Sequence, residues 1–251
     1  MKKLLFTAFA ALAFMAVADD DPVENTSYSP LIGVTEISAT LQNTIVPVKF
    51  TSLDSGNIKA TDLVYPKGIP DNTQLYVFDG TTQKYKAFVM ASSAWAPLAT
   101  VDTSNPDITQ ADVNQVAVSG TAIWLVFPAN SDLTNQKVYI YGQVVSSLTS
   151  TISPGTTETP VSNLLCNPTD STISGGTLIT KLSEVAAKGD TISPIGESFT
   201  GNYIYNGTQW KHYYNDEEGN MAVEKNKLPD IAAGAGFWYV SKGGSGTIQW
   251  N

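Results

Sequence analysis

Arginine is absent from this chain of 251 residues, so all 14 of its basic side chains are lysines. Against 23 acidic residues they leave a formal net charge of −9. Proteins recognise phosphate groups through the planar guanidinium fork and through clustered positive charge. Because these lysines are scattered along the chain, the composition argues against a nucleic-acid partner and against attachment to an anionic membrane surface.

Cysteine and histidine occur once each, as Cys166 and His212. A single cysteine excludes an intrachain disulfide, and its setting in Leu164-Leu165-Cys166 predicts a buried thiol. One histidine without a partnered nucleophile does not make a hydrolytic triad, and one Cys with one His does not make a zinc cluster. Asp216-Glu217-Glu218 lacks the ligand spacing of a calcium loop. The sequence therefore nominates no catalytic residue, no metal site and no cofactor, and predicts a protein that is not an enzyme.

Long hydrophobic runs are missing after the N-terminus. Two lysines follow Met1, an apolar run extends from Leu4 to Met15, and Ala16-Val17-Ala18 has the small-x-small pattern of a cleavage site. This order is typical of a bacterial Sec-type signal peptide, and the run is shorter than the about 20 residues that span a bilayer. We expect residues 1–18 to be removed, which changes the net charge to −11 by loss of Lys2 and Lys3. The exported chain is then secreted or held at the cell surface, with no membrane span.

The most informative pattern that is present is an internal repeat. Tyr76-Val77-Phe78-Asp79-Gly80-Thr81-Thr82-Gln83-Lys84-Tyr85 is echoed by Tyr203-Ile204-Tyr205-Asn206-Gly207-Thr208-Gln209-Trp210. Downstream, Gly120-Thr121-Ala122-Ile123-Trp124-Leu125-Val126 is echoed by Gly234-Ala235-Gly236-Phe237-Trp238-Tyr239-Val240. Since the anchor points keep their order, the chain is predicted to hold two related units.

The abundance of Thr, Ser, Gly, Asn, Val and Tyr, with few charged residues, favours short strands and many turns. We predict a mainly β protein with two related β-sandwich-like units in tandem and at most one or two short helices. A loose N-terminal segment, 19–30, precedes the first unit, 31–145. A linker rich in Ser, Thr, Pro and Gly, 146–160, leads to the second unit, 161–251. One larger sandwich built from both units is the alternative.

Several local elements can be placed. Pro47 predicts that the strand around it lies at a sheet edge, because proline has no backbone donor. The continuous apolar run Ala122–Phe127 predicts a strand buried on both faces. A helix is expected over Thr180–Lys188, ended by Gly189, and one helical turn over Ile108–Val113, capped by Asp107.

The second unit resembles a module of secreted bacterial proteins. The resemblance rests on Asn163-Leu164-Leu165-Cys166-Asn167-Pro168, on Tyr205-Asn206-Gly207-Thr208-Gln209-Trp210 and on Ile231–Val240. The shared pattern is an Asn-Pro motif, an Asn-Gly-Thr hairpin and a Gly-x-Gly-Phe-aromatic strand. The first unit is a looser relative, because Ala122 replaces the second glycine and the Asn-Pro motif is absent. The resemblance implies a secreted or surface β-domain of an uncharacterised family and carries no catalytic residues.

Five tryptophans and eleven tyrosines are the side chains of this sequence best suited to binding a ligand. Trp124 and Trp238 occupy matching repeat positions inside apolar strands, which predicts that each fills the core of its own unit. Polar residues surround four other aromatics, which we take as candidate surface residues for ligand binding: Tyr85, Trp95, Trp210 and Trp250.

Three functions remain open from the sequence. The leading hypothesis is a non-enzymatic structural or interaction protein that contacts other surface proteins or copies of itself. The alternative is a carbohydrate-binding module, and the third is a glycoside-active enzyme without recognisable motifs. Coplanar exposed rings in one groove would favour a sugar ligand, whereas a flat apolar strand edge would favour assembly.

Overall fold

A computed structural model describes residues 32–39, 42–50, 58–98, 107–112, 114–118, 120–144, 147–195 and 202–250. The predicted signal peptide, 1–18, and the N-terminal segment, 19–30, lie outside these residues.

The described chain is mainly β with two short helices, as predicted. The first half contains β1 (Ile32–Ser38), β2 (Asn43–Pro47), β3 (Ile58–Lys59), α1 (Ala60–Leu63), β4 (Gln74–Asp79), β5 (Lys84–Ala91), β6 (Ala94–Pro97), β7 (Ile108–Gln110), β8 (Val116–Ala117), β9 (Ala122–Val126) and β10 (Lys137–Gln143). The second half contains β11 (Thr149–Ile152), β12 (Val161–Cys166), α2 (Gly175–Leu182), β13 (Thr191–Pro194), β14 (Asn202–Tyr205), β15 (Trp210–Asn215), β16 (Met221–Lys225), β17 (Gly236–Ser241) and β18 (Gly246–Gln249).

In the first half, a large sheet has the order β2-β9-β4-β5-β6, with β7 beside β5. Pro47 ends β2 at the edge of this sheet, which confirms the edge position that the proline predicts. The opposite wall of the core is a two-stranded ribbon, in which β1 pairs antiparallel with β10. Val138 and Ile140 of the ribbon and Leu75 and Leu125 of the sheet are all fully buried in this first core.

In the second half, a six-stranded sheet has the order β12-β17-β13-β14-β15-β16. Its core is closed by α2 and by the short β11–β18 pair. Leu178 and Leu182 of α2 pack with Phe237 of β17, and each of the three is fully buried. Period-2 alternation thus places every second residue of β17 in this second core.

The reverse faces of the two large sheets meet each other. An apolar group that we call the intersheet cluster contains Ala122, Leu164 and Cys166, with Ile45, Phe78, Trp124, Ile195 and Trp238 packed against it. Strand β9 therefore has both faces covered, because Ile123 lies in the first core while Ala122 lies in the intersheet cluster. This confirms the strand that the continuous apolar run predicts.

Polar contacts also join the halves. The side-chain amide of Gln83 donates to the carbonyl of Ser162 at 3.0 Å and accepts from the Ser162 N–H at 2.7 Å. Lys49 forms an ion pair with Asp170 at 2.9 Å. At the sheet ends, the backbone N–H of Cys166 donates to the carbonyl of Gly120.

Two local predictions are wrong. The helix expected over Thr180–Lys188 is α2, which begins at Gly175 because Ser174 caps it by accepting a hydrogen bond from the Thr177 N–H. The chain then turns, and Gly189, at φ 96°, donates its N–H to Tyr205 rather than ending a helix. The helical turn expected from Ile108 is β7, which runs parallel to β5.

The predicted linker, 146–160, is partly regular structure. Residues Thr149–Ile152 form β11, and both Ser150 and Ile152 are buried. The Ser- and Thr-rich composition does not distinguish a flexible linker from a short strand whose alternate residues are buried. The division into two units at these boundaries stays a prediction.

Within the described residues, no helix combines the length and the apolar character needed to cross a membrane.

Candidate binding surface

Two of the four aromatics predicted at the surface are buried. Trp210 and Trp250 are 1% and 3% exposed and belong to the second core. The Trp250 indole nitrogen donates to Oγ of Ser150 at 2.7 Å, whereas that of Trp210 has no partner among the described atoms. Neither ring presents a face to a ligand, so the expectation of surface positions is wrong for both.

The other two are half-buried and lie in separate surroundings. Tyr85 packs edge-to-face on Phe78 at 5.3 Å and on Trp238 at 6.4 Å between ring centroids. Burial, with a smaller contribution from Asp107, raises the pKa of Tyr85 to about 12. Trp95 packs against the first core and donates its indole N–H to the carbonyl of Val64 at 3.0 Å. The four predicted residues therefore do not form one site.

Trp124 and Trp238 do occupy equivalent places, since each lies on a strand flanked by two antiparallel neighbours in its large sheet. Both rings, however, point into the intersheet cluster and not into the core of their own half. Trp238 meets Phe78 of the other half edge-to-face, with 4.9 Å between ring centroids. The prediction that each fills its own core is corrected accordingly.

His212 is held in a stack of rings. It lies 4.3 Å from the Tyr203 ring and 4.9 Å from the Tyr214 ring, measured between centroids, and its Nδ1 is 3.0 Å from Oε2 of Glu224. Tyr203 is buried in the second core, so one end of the stack faces inward. The arrangement can orient the imidazole and link three strands, but it does not form an open platform.

Clusters of three or more His, Cys, Asp or Glu side chains placed to hold a metal ion do not occur in the part of the chain that the structure describes.

The outer face of the β1–β10 ribbon is an open apolar feature of the described chain. Here Val34, Tyr65, Tyr139 and Tyr141 line a shallow groove of about 540 Å³, which we call the tyrosine groove. The register places Val34 opposite Tyr141 on one face, while Tyr65 reaches β10 from α1 and contacts Tyr141 edge-to-face at 6.0 Å. Val34 is 65% exposed and Tyr65 43% exposed.

The electrostatics of the groove are mild. Burial raises the pKa of Tyr141, and the nearby Asp62 and Tyr65 add to the shift. At the far end, Glu36 forms an ion pair with Lys137 at 2.6 Å, and the hydrogen bond to Lys137 lowers the pKa of the Glu36 carboxyl. The groove therefore offers apolar faces and neutral hydroxyls, with the Glu36–Lys137 pair at one end and the exposed Asp62 carboxylate near Tyr141.

The sequence contained a signal for this groove. In Lys137–Gln143, the buried Val138 and Ile140 alternate with Tyr139 and Tyr141, which is the period of a strand with one solvated face. The contribution of Tyr65 follows only from tertiary structure, because it comes from a different segment beside β10.

Comparisons with models of protein families, with curated proteins and with solved structures found no match for this chain. The resemblance to a family of secreted bacterial modules stays a prediction.

Proposed function

We propose that this protein is a non-enzymatic interaction protein of the cell exterior, which binds an extended segment of another polypeptide in the tyrosine groove. The external location rests on the signal-like sequence Met1–Ala18. The binding role rests on the groove itself, which is made by residues of β1, β10 and the segment after α1.

The observation that carries the proposal is an apolar surface left open on the ribbon of a chain that buries Trp210 and Trp250 in its second core. Val34 and Tyr65 stay substantially exposed while Trp210 and Trp250 are buried. Exposed apolar surface with a polar rim is typical of protein-docking sites, and tyrosine supplies large contact area with little loss of side-chain entropy. The groove lies along β1, which suits an extended peptide whose alternate side chains meet the rings.

A sugar ligand fits this surface less well. A pyranose ring stacks best on aromatic faces that share a plane, but the planes of Tyr65 and Tyr141 are inclined at 74°. The other stack of rings, around His212, has Tyr203 buried at one end. The strand edge beside the groove exposes the apolar side chains of Ile32 and Val34, which favours binding to protein.

The proposal can be tested by presenting the purified chain without residues 1–18 to two arrays in parallel. One array carries peptides of about ten residues with alternating apolar side chains, roughly the length of a long strand. The other carries glycans. Tyr65→Ser and Tyr141→Ser are the test variants, and Tyr213→Ser, on β15 of the other sheet, is the matched control.

We expect peptide binding that falls at least about tenfold in each groove variant, a loss of about 1.4 kcal/mol, and that persists in the control. Circular dichroism should show the same fold for all four proteins. Glycan binding that requires Tyr65 and Tyr141 would establish the carbohydrate-binding alternative. Peptide binding that is equal in all four proteins would remove the groove from the function.

A further inference from the structure

Among the described residues, no strand pairs with the outer edge of β1, and the direction of its backbone groups can be worked out. In an antiparallel pair, residues alternate between those whose N–H and C=O face the partner and those whose groups face away. The Tyr139 carbonyl accepts a hydrogen bond from the Tyr65 N–H at 2.9 Å, on the side of β10 away from β1. Glu36 pairs with Tyr139 in the register, so its backbone groups also face away from the ribbon, as do those of Val34 two residues earlier.

The side chains beside this edge are apolar and exposed. Ile32 is 59% exposed and Val34 65% exposed, and both lie on the groove side of the ribbon. An unpaired strand with outward N–H and C=O groups and exposed apolar side chains is a template for another strand. The feature is therefore a pairing edge as well as one wall of the groove.

The charge distribution identifies a second copy of this chain as the partner that pairs with the β1 edge. A symmetric contact brings identical surfaces together, so a chain with net charge −9, or −11 after loss of Lys2 and Lys3, can associate with itself only through a locally neutral surface. Within β1 and β10 the charged residues are Glu36 and Lys137, and these form an ion pair with each other. The ribbon is neutral as a unit, although the chain around it is acidic.

Four other sheet edges in the described chain, those of β2, β6, β12 and β16, are blunted. Strands β2 and β6 each end in a proline, Pro47 and Pro97. The edge of β12 is engaged by the side chain of Gln83, and β16 carries Glu224 and Lys225. Proteins prevent edge-to-edge pairing with prolines, with charged side chains and by covering the edge. Strand β1 carries no uncompensated charge, because Glu36 is paired with Lys137.

We infer that β1 pairs antiparallel with β1 of a second copy, with Val34 opposite Val34 of that copy. The outward groups of Ile32, Val34 and Glu36 then form about six hydrogen bonds between the chains, and the two ribbons become one four-stranded sheet. The two tyrosine grooves merge into one apolar strip, in which both Val34 side chains lie between the two Tyr141 rings. This inference deepens the proposed function. It rests on that function only for the role of the merged strip in binding a peptide.

The test measures the molar mass of the chain without residues 1–18 by light scattering after size-exclusion chromatography. Concentrations from about 10 µM to about 1 mM cover dissociation constants of weak specific dimers. Val34→Lys places a charge on the edge, and Val34→Pro removes an outward N–H without removing a bond to β10. Met221→Lys is the matched control, because Met221 is 78% exposed on a different edge strand, β16.

We expect the unmodified chain and Met221→Lys to have twice the mass of one chain, and both Val34 variants to have the mass of one chain. Amide hydrogen exchange distinguishes edge pairing from stacking of the groove faces. The amide of Glu36 should exchange at least about tenfold faster in Val34→Lys, whereas that of Thr35, which faces β10, should not change.

A single-chain mass at every concentration would overturn the inference, as would a dimer that survives both Val34 variants. Equal exchange at Glu36 in the dimer and in Val34→Lys would also overturn it, since the edge would then be open in both. The peptide array decides the groove function independently, because it requires binding to Tyr65 and Tyr141 whether or not the chain dimerises.

Discussion

The indole nitrogen of Trp250 donates a hydrogen bond of 2.7 Å to Oγ of Ser150, a residue 100 positions earlier in the chain. The Ser150 hydroxyl donates in turn to the carbonyl of Gly120 at 2.6 Å. Gly120 has φ 81°, and a Cβ there would lie 2.2 Å from the Thr149 carbonyl oxygen. The residue that follows β18, strand β11 and the turn before β9 are thus joined through one buried hydroxyl.

Replacing Ser150 by Ala should lower the free energy of unfolding by about 1–3 kcal/mol, because the Trp250 N–H and the Gly120 carbonyl both lose a buried partner. Thr151→Ala is the matched control, since its side chain is exposed on the same strand. Urea unfolding curves of the two variants provide the measurement. Equal midpoints for both variants would show that this hydroxyl does not stabilise the fold.

Among the polar residues of the second half, Asp190 should be the one whose substitution lowers the free energy of unfolding most. Its carboxylate is fully buried and accepts hydrogen bonds from the Tyr239 hydroxyl and from the N–H groups of Ala187 and Lys242. Asp190→Ala should cost about 3 kcal/mol or more, because the buried Tyr239 hydroxyl and two part-buried N–H groups lose their acceptor together. Tyr239→Phe should cost only about 1–2 kcal/mol, since it removes one donor from an acceptor that keeps the others.

Thermal or urea unfolding would rank these two variants. A larger loss for Tyr239→Phe than for Asp190→Ala would contradict the assignment of the carboxylate as the centre of this network.

The contact between Phe78 and Trp238 should couple the two halves. Trp238→Ala is expected to lower the unfolding free energy by about 3 kcal/mol, at the low end for large aromatics because the ring is only half-buried. A double-mutant cycle with Phe78→Ala should give a coupling energy of about 0.5–1.5 kcal/mol. A coupling near zero would mean that the two rings contribute independently and that the intersheet contact carries no pairwise energy.

Stability should fall at alkaline pH. Burial raises the pKa of the Cys166 thiol to about 12, well above its value in an unfolded chain. The folded protein keeps this proton while the unfolded chain releases it, so the stabilisation is complete below about pH 8 and is lost as the pH rises towards 12. Between pH 8 and 10, Cys166→Ala should lose about 2 kcal/mol less than the unmodified chain.

Urea curves at the two pH values measure this difference directly. Equal losses in both proteins would mean that the thiol is not shielded in the folded state.

The sequence predicted the fold well where the period of burial was simple. The run Ala122–Phe127 and the edge position of Pro47 followed from side-chain polarity and from the missing donor of proline. Trp210 was misjudged because its neighbours Gln209 and Lys211 are polar. In a strand, adjacent residues point to opposite faces, so polar neighbours say little about the exposure of the ring between them.

Pairing between distant segments accounts for the other differences between the sequence predictions and the structure. Ile108–Gln110 became a strand because Tyr85 donates its N–H to Asp107 and accepts from the Thr109 hydroxyl, contacts that the local sequence does not encode. The tyrosine groove was predictable in part, since Tyr139 and Tyr141 follow a period of two. The place of Tyr65 beside them depends on a distant segment.

The order of strand pairing also determines when the second half of the chain can complete its sheet and core. Among the described strands, β12 pairs with β17 and β11 pairs with β18, so the six-stranded sheet is incomplete until Gly236–Ser241 have been synthesised and the second core is not closed until Gly246–Gln249 follow. Pairings so distant in sequence form slowly, because the intervening loop must lose its entropy first. The second half of a nascent chain therefore stays unfolded, and able to pass through a narrow channel, until β17 and β18 have left the ribosome.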